Sequence, residues 1–304
     1  MFRLTLFAPL CLALACSGPA SFGQLNNDAN PRDAGPTDGR TTIDAAGTRD
    51  SISADSQIDS KTLTEALPTS CSGICNAIKP TYPTIGEVSF GDITTYSTRA
   101  SEGGACNYGK TGVMYYAASN VNVTAGDNQG QWQGGRFCGQ CVEIAALTRE
   151  GARTVVVRIM DRCADEWCGM DLGGDATGVI MGSMQGRYQG AWRLVSCDGH
   201  PEVSDGPPIL FVNSGSNPHW ALVQVRNPAW PVAGMSWQNT ADPSQHGDLE
   251  YANTLSENYW VVPLSVLQAN ATFDLTIRFT DGSSTALQLT SAQLATPSAQ
   301  YPLK

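Results

Sequence analysis

The 304-residue chain reads as an all-β protein, a small barrel followed by a β-sandwich, and three observations carry that reading. Eight cysteines lie between Cys71 and Cys197, and none follows. Short runs of β-formers separated by glycines recur through the same stretch, the mark of short strands joined by tight turns. From residue 208 onward tryptophans and alternating β-formers take over without any cysteine. A sheet pair of that composition must be held by its apolar core alone.

The elements follow in chain order. The opening MFRLTLFAPLCLALAC places one arginine before a short apolar run that small residues soon follow, which is the pattern of an export signal over 1–23 rather than of a membrane span. Two processing routes stay open. One is cleavage near Gly23; the other is a lipoprotein-type site at Cys16, which would leave the protein lipid-anchored. No later segment is apolar for long enough to cross a bilayer. Residues 24–68 contain no aromatic side chain and little apolar periodicity, so they cannot bury enough surface to offset their ordering entropy and read as a flexible tether. The barrel is expected over 69–205, with β runs at 113–118, 141–147 and 154–160 and a short glycine-weakened helix at 176–186. PEVSDGP at 201–207 has linker composition. The sandwich is expected over 206–304, where Asp281-Gly282 sits between two β runs as a hairpin turn.

An even set of cysteines in an exported chain reads as disulfides. Cys71, Cys75, Cys106, Cys138, Cys141, Cys163, Cys168 and Cys197 are the candidates, with no connectivity legible. The rival is zinc, since Cys138-x-x-Cys141 and Cys163-x4-Cys168 have the look of ligand pairs; export favours disulfides, and no metal or cofactor is expected. A formal net charge of −10 with only 18 Lys and Arg excludes a broad nucleic-acid footprint and disfavours anionic polymers. A neutral polymer is the better match. Three scattered histidines, His200, His219 and His246, make no triad or metal constellation.

The acids of the first domain are Asp92, Glu143, Asp161, Asp165, Glu166 and Asp171. Asp161 ends an apolar strand run, where a carboxylate commonly accepts backbone N–H bonds. Asp171 lies in Gly169-Met170-Asp171-Leu172-Gly173, where a turn can project it into a groove. Beside apolar neighbours it would be a proton donor suited to a glycosidic oxygen. Thr94, Thr95 and Tyr96 offer hydroxyls and one aromatic face ahead of a glycine-rich turn at 103–109. Trp132, Trp167 and Trp192 either line the groove or fill the barrel, with Trp192 reading as core. In the tail, Trp220, Trp230, Trp237, Tyr251, Tyr259 and Trp260 are enough for an exposed strip of the kind that stacks on sugar rings. Trp220 follows a loop and is expected outside. Adjacent Tyr259 and Trp260 should face opposite ways, one of them into the core.

Together these pieces resemble the expansin family, specifically its microbial members. The resemblance runs over about 88–304 and rests on Gly91-Asp92-Ile93-Thr94-Thr95-Tyr96, Gly104-Ala105-Cys106-Asn107-Tyr108-Gly109, Cys138-Gly139-Gln140-Cys141-Val142-Glu143-Ile144, Asp161-Arg162-Cys163 leading to Met170-Asp171-Leu172, Trp220-Ala221-Leu222-Val223-Gln224-Val225-Arg226-Asn227, and Trp230-Pro231-Val232. It implies a six-stranded double-psi β-barrel, then an immunoglobulin-like, cellulose-binding β-sandwich, and plant cell-wall loosening without hydrolysis. Thr94, Asp161 and Asp171 match groove residues that such proteins need. Tyr96, Trp220, Trp230, Tyr259 and Trp260 are the polysaccharide-contact candidates. His219 stands where some members carry a second tryptophan. Related barrel endoglucanases have a catalytic base just after the Thr-x-Tyr stretch, whereas Ser97 and Thr98 follow here. The resemblance thus implies a secreted monomer acting on cellulose and other neutral wall glucans. The alternatives are an endoglucanase with Asp171 as acid and Asp92 or Glu143 as base, and a peptidoglycan-binding or lytic barrel.

Overall fold

The computed structural model describes residues 84–304 apart from 98, 122–129, 149–150, 165–167, 183–185 and 253–257. These residues fall within one compact unit, Ile58–Lys304. The export signal, the tether, Cys16, Cys71 and Cys75 lie outside the described residues, as do Asp165, Glu166 and Trp167.

Six strands close the barrel. They are β1 (Ser89–Thr95), β2 (Tyr115–Asn120), β3 (Cys141–Thr148), β4 (Gly151–Cys163), β5 (Cys168–Gly174) and β6 (Tyr188–Val195), in the spatial order β1-β5-β2-β4-β3-β6. The β1–β5 and β2–β4 pairs are parallel and the other pairs antiparallel. This is the mixed, closed, double-psi barrel that the sequence predicts. Its runs of valine, isoleucine and alanine become strands because their branched side chains fill a small interior. Trp192 and Trp132 are fully buried there with Ile144, Ile159, Met170 and Leu172. The predicted helix is shorter than 176–186: α1 spans Asp175–Met181 and stops at Gly182, which adopts φ +56°.

The second part is a sandwich of two antiparallel sheets with an immunoglobulin-like build. One sheet has the order β10-β9-β13-β14, from β9 (Val232–Asn239), β10 (His246–Asp248), β13 (Thr272–Phe279) and β14 (Ser284–Thr290). The other has the order β11-β12-β8-β7-β15, from β7 (Ile209–Val212), β8 (Ala221–Arg226), β11 (Glu250–Tyr251), β12 (Trp260–Val262) and β15 (Gln300–Pro302). The predicted hairpin turn joins β13 to β14, with Gly282 at φ +87° and Asp281 accepting from the Ser283 N–H at 3.0 Å. Val223, Met235, Trp260, Phe273 and Leu275 pack in the core between the sheets.

The six described cysteines are all paired: Cys106–Cys138, Cys141–Cys197 and Cys163–Cys168. Cys138 and Cys141, the zinc-like pair of the sequence, therefore belong to two different disulfides.

Barrel and sandwich are joined by buried polar contacts. Arg158, 2% exposed, donates to the carbonyls of Val203 at 2.7 Å and of Gly139 and Pro228 at 3.0 Å each. Burial lowers its pKa. Gln224 on β8 donates to the Cys106 carbonyl at 2.8 Å, and Asn258 donates to the Tyr108 hydroxyl at 3.1 Å. These bonds cover the outer face of the five-stranded sheet with the barrel.

That cover corrects two expectations. Tyr259 and Trp260 do face opposite ways, but each is only 4% exposed. Trp260 enters the sandwich core, and Tyr259 packs with Phe211 and Leu222 on the outer face that meets the barrel. Neither is open to a polysaccharide. Trp230 is half-buried and packs against the barrel core. Strand alternation was read correctly from the sequence; what lies on each side of the strand is decided by residues more than a hundred positions away.

Candidate functional site

The closed barrel sets four residues from four neighbouring strands in one row. Thr94 on β1 is the register partner of Asp171 on β5. Asp171 in turn faces Ala118 on β2, and Ala118 faces Asp161 on β4. Register partners share one face of a sheet, so the row presents a hydroxyl, a carboxylate, a methyl group and a second carboxylate. The three polar members are all half-buried, with Ala118 buried between the acids.

Each polar member is held. The Thr94 hydroxyl donates to Asp171 Oδ1 at 2.7 Å, a short bond of the charge-assisted kind. Asp161 Oδ1 accepts the N–H groups of Ala105 and Arg162, both at 2.8 Å. The Ala105 bond depends on Gly104, which runs against Asp161 at φ +47°. A Cβ there would sit 2.5 Å from the Asp161 carboxyl carbon and 2.6 Å from the Met160 carbonyl. The loop bearing Gly104 can approach this closely because only glycine tolerates both the space and the angle.

Tyr96 leaves β1 just past the row, with its N–H bonded to the Leu172 carbonyl at 3.1 Å and its ring edge-on to Tyr116 at 5.9 Å. The ring is 44% exposed. Desolvation of its hydroxyl raises its pKa most, and the negative charges of Asp161 and Asp171 raise it further. Tyr96 is thus electrostatically close to both acids. A row of polar groups flanked by an open aromatic ring is suited to a sugar, whose hydroxyls take hydrogen bonds and whose C–H face takes the ring.

The other acids are placed elsewhere. Asp92 is ion-paired with Arg187 at 2.7 Å, and Glu143 with Arg193 at 2.6 Å. Glu143 sits on β3, which is not adjacent to β5 in the barrel order. Neither expected partner acid shares the row with Asp171; Asp161 does.

Two contributors were not singled out from the sequence. Ala118 separates the acids, and its signal is only that of a small residue in a strand. Gln131, fully buried, accepts the Trp192 indole N–H at 2.7 Å and donates to the Gly169 carbonyl at 2.9 Å. It fixes the start of β5 two residues before Asp171, and nothing local marks it. Gly169 meanwhile packs closely against the Trp192 indole, which a Cβ would approach to 2.6 Å.

In the sandwich, Trp220 is 43% exposed. Its loop is stiffened by side chain–backbone bonds: Asn213 accepts from the Gly215 N–H at 2.8 Å and Asn217 from the His219 N–H at 2.9 Å. A two-way backbone bridge between Asn217 and Trp220 closes it. His219 lies beside it, 3.4 Å from the Gln268 side chain. Among the described tryptophans and tyrosines of the sandwich, Trp220 is the one that stands exposed. The expected strip is therefore centred on a single indole.

No protein-family model matches the chain, and no curated protein sequence does either. Several solved structures match in fold, two of them of one expansin. The apo expansin of Clavibacter michiganensis aligns with a TM-score of 0.53 at 19% identity, over 71% of this chain and 96% of that one. An aspartate-to-asparagine variant of the C. michiganensis expansin in complex with cellohexaose aligns with a TM-score of 0.54 at 18% identity, over the same shares of the two chains. The fold is expansin-like.

Proposed function

We propose that the protein loosens cellulose-rich wall material by gripping glucan chains without cutting them. The observation that carries this reading is the row Thr94–Asp171–Ala118–Asp161 with Tyr96 open at its end. Its acids are engaged by fixed donors, and no nucleophile or cofactor is called for when the work is displacement of non-covalent glucan contacts. Cellohexaose, bound by the variant of similar fold, is a neutral β-glucan of the class that a chain of net charge −10 would accept. Trp220 would adsorb the protein to the fibre through its sandwich while the groove competes for individual chains. The disulfide-braced fold suits an exported monomer, and among the described residues no helix is long and apolar enough to span a membrane.

One observation favours a second reading. Asp171 and Asp161 are two strands apart on one face, about 10 Å between backbones at ordinary strand spacing. Side chains leaning toward each other from there reach the carboxyl separation of roughly 6.5–9.5 Å used by inverting glycosidases. Asp171 would be the acid and Asp161 the base. Against it, Asp161 Oδ1 already holds two backbone N–H groups.

The deciding experiment measures creep of a clamped cellulosic wall strip and soluble reducing sugar in the same reaction. Loosening without sugar release is expected, with Asp171→Asn abolishing creep while adsorption to cellulose persists. Sugar release lost in both Asp171→Asn and Asp161→Asn would establish the hydrolytic reading instead.

A further inference from the structure

We propose that the Cys163–Cys168 disulfide is a positioning element of the groove, which makes the grip sensitive to reduction; the inference rests on the glucan-grip reading above. Its place is the first argument. β4 ends at Cys163 and β5 begins at Cys168, so the disulfide ties the two arms that carry Asp161 and Asp171. Its contacts are the second. The sulfurs and an Asp171 carboxylate oxygen lie within 4.8 Å of one another, and Cys168 Sγ is 4.0 Å from the Thr94 hydroxyl oxygen. Both cysteines pack in a small buried cluster with Ala118, the residue between the two acids. The disulfide thus sits directly beneath the row.

Its sequence separation is the third argument. Among the described residues, three disulfides join positions 5, 32 and 56 apart. Loop-closure entropy rises with the logarithm of loop length, so this one constrains the unfolded chain least. The backbone around it also has other anchors: the Val121 N–H bonds the Cys163 carbonyl, and Gln131 bonds the Gly169 carbonyl. Of the three described disulfides this one adds least to the fold, whereas Thr94 and Asp171 lie against it.

A dithiol reductant would deliver two electrons and two protons, converting the disulfide to two thiols and itself becoming a cyclic disulfide. The freed sulfurs must then separate to van der Waals contact. With the tie gone, the ends of β4 and β5 are free to part, and Cys168 no longer holds its place against Thr94. The Thr94–Asp171 bond is what is lost.

The test uses the full exported chain as wild type, a Cys163→Ala/Cys168→Ala double variant, Thr94→Val, and the triple combination. Affinity for soluble cellohexaose is expected to fall three- to tenfold in the double variant, and equally in Thr94→Val, with no further loss in the triple. Adsorption to whole fibres should stay near wild type, and the thermal midpoint should fall by only about 4–8 °C. Unchanged affinity in the double variant, or losses that add in the triple, would overturn the proposal. A second readout needs no sugar: the ¹³C carboxyl titration of Asp171, which faces Thr94, Tyr96, Asp161 and the two cysteines. Losing a donor to the carboxylate moves its midpoint upward, so an unmoved midpoint in the double variant also overturns the proposal. A wild type that ignores cellohexaose while the carboxyl midpoint still moves would reject the glucan reading and leave the positioning role standing.

Discussion

In the barrel, each polar group of the row is supplied by a different strand and held by a bond to another strand or loop; in the sandwich, Trp220 stands on one loop stiffened by its own asparagines. The two surfaces therefore differ in what can damage them. The groove depends on residues that make no contact with a ligand themselves, such as the close-packed Gly104, the buried Gln131 and the buried Cys163–Cys168 pair. Trp220 depends on little beyond itself. A site assembled from register is sensitive to the whole wall, while a site made of one indole is sensitive to one substitution.

The largest expected effect lies where the two parts meet. Arg158→Met would leave the carbonyls of Gly139, Val203 and Pro228 without their donors. Orphaned buried polar groups and broken buried-charge contacts put the loss at about 3–5 kcal/mol, to be read from urea unfolding. A loss below about 1 kcal/mol, within the range of ordinary surface changes, would mean the junction is not what holds the two surfaces together.

The same junction should fail at high pH. Tyr108, 4% exposed, is pushed up to about 12 chiefly by burial, with Arg158 and Arg226 pulling the other way. The unfolded chain releases this proton near the ordinary value of 10.0, while the folded chain keeps it. The unfolded state then binds fewer protons, so stability falls as pH rises. This contribution is intact below about pH 10 and lost by about pH 12, on the order of 3 kcal/mol over the two units. Tyr108→Phe should flatten the decline without removing it, because burial also raises Tyr251.

The sequence carried local features well. β-branched runs became strands, Asp281-Gly282 became the turn, and the Asn217-Pro218-His219 approach left Trp220 outside. It carried the Thr94, Asp161 and Asp171 set as motif residues but not their common row, because register between strands far apart in sequence has no local signature. It missed Tyr259 for the same kind of reason. An alternation pattern says that a side chain leaves the core, but not that a second domain waits on the other side. Asp92 and Glu143 were legible as acids, while the arginines that occupy them, Arg187 and Arg193, come from elsewhere in the chain.

Gly104→Ala tests the groove through its backbone. The new methyl group would fall on Asp161 and the Met160 carbonyl at a φ of +47°. Left-handed strain and overpacking together suggest a cost of about 2–3 kcal/mol. Asp161 would have to leave its two N–H donors, so the grip on soluble cellohexaose should fall along with stability while fibre adsorption persists. Equal loss of both activities would show that the two surfaces are less independent than their construction implies.

Trp220→Ala is the smallest change to the fold and the sharpest test of the contrast. The side chain is 43% exposed and no core cluster includes it, so the melting temperature should hardly move. Loss of one stacking indole is worth about 1–2 kcal/mol of adsorption, or roughly tenfold weaker binding to crystalline cellulose. Affinity for soluble cellohexaose in the groove should be unchanged, the mirror image of Asp171→Asn. If adsorption survives the substitution, the fibre must be held by the polar sheet faces or by the barrel itself. The division of labour between a register-built groove and a single-residue anchor would then be wrong, because both contacts would belong to one continuous surface.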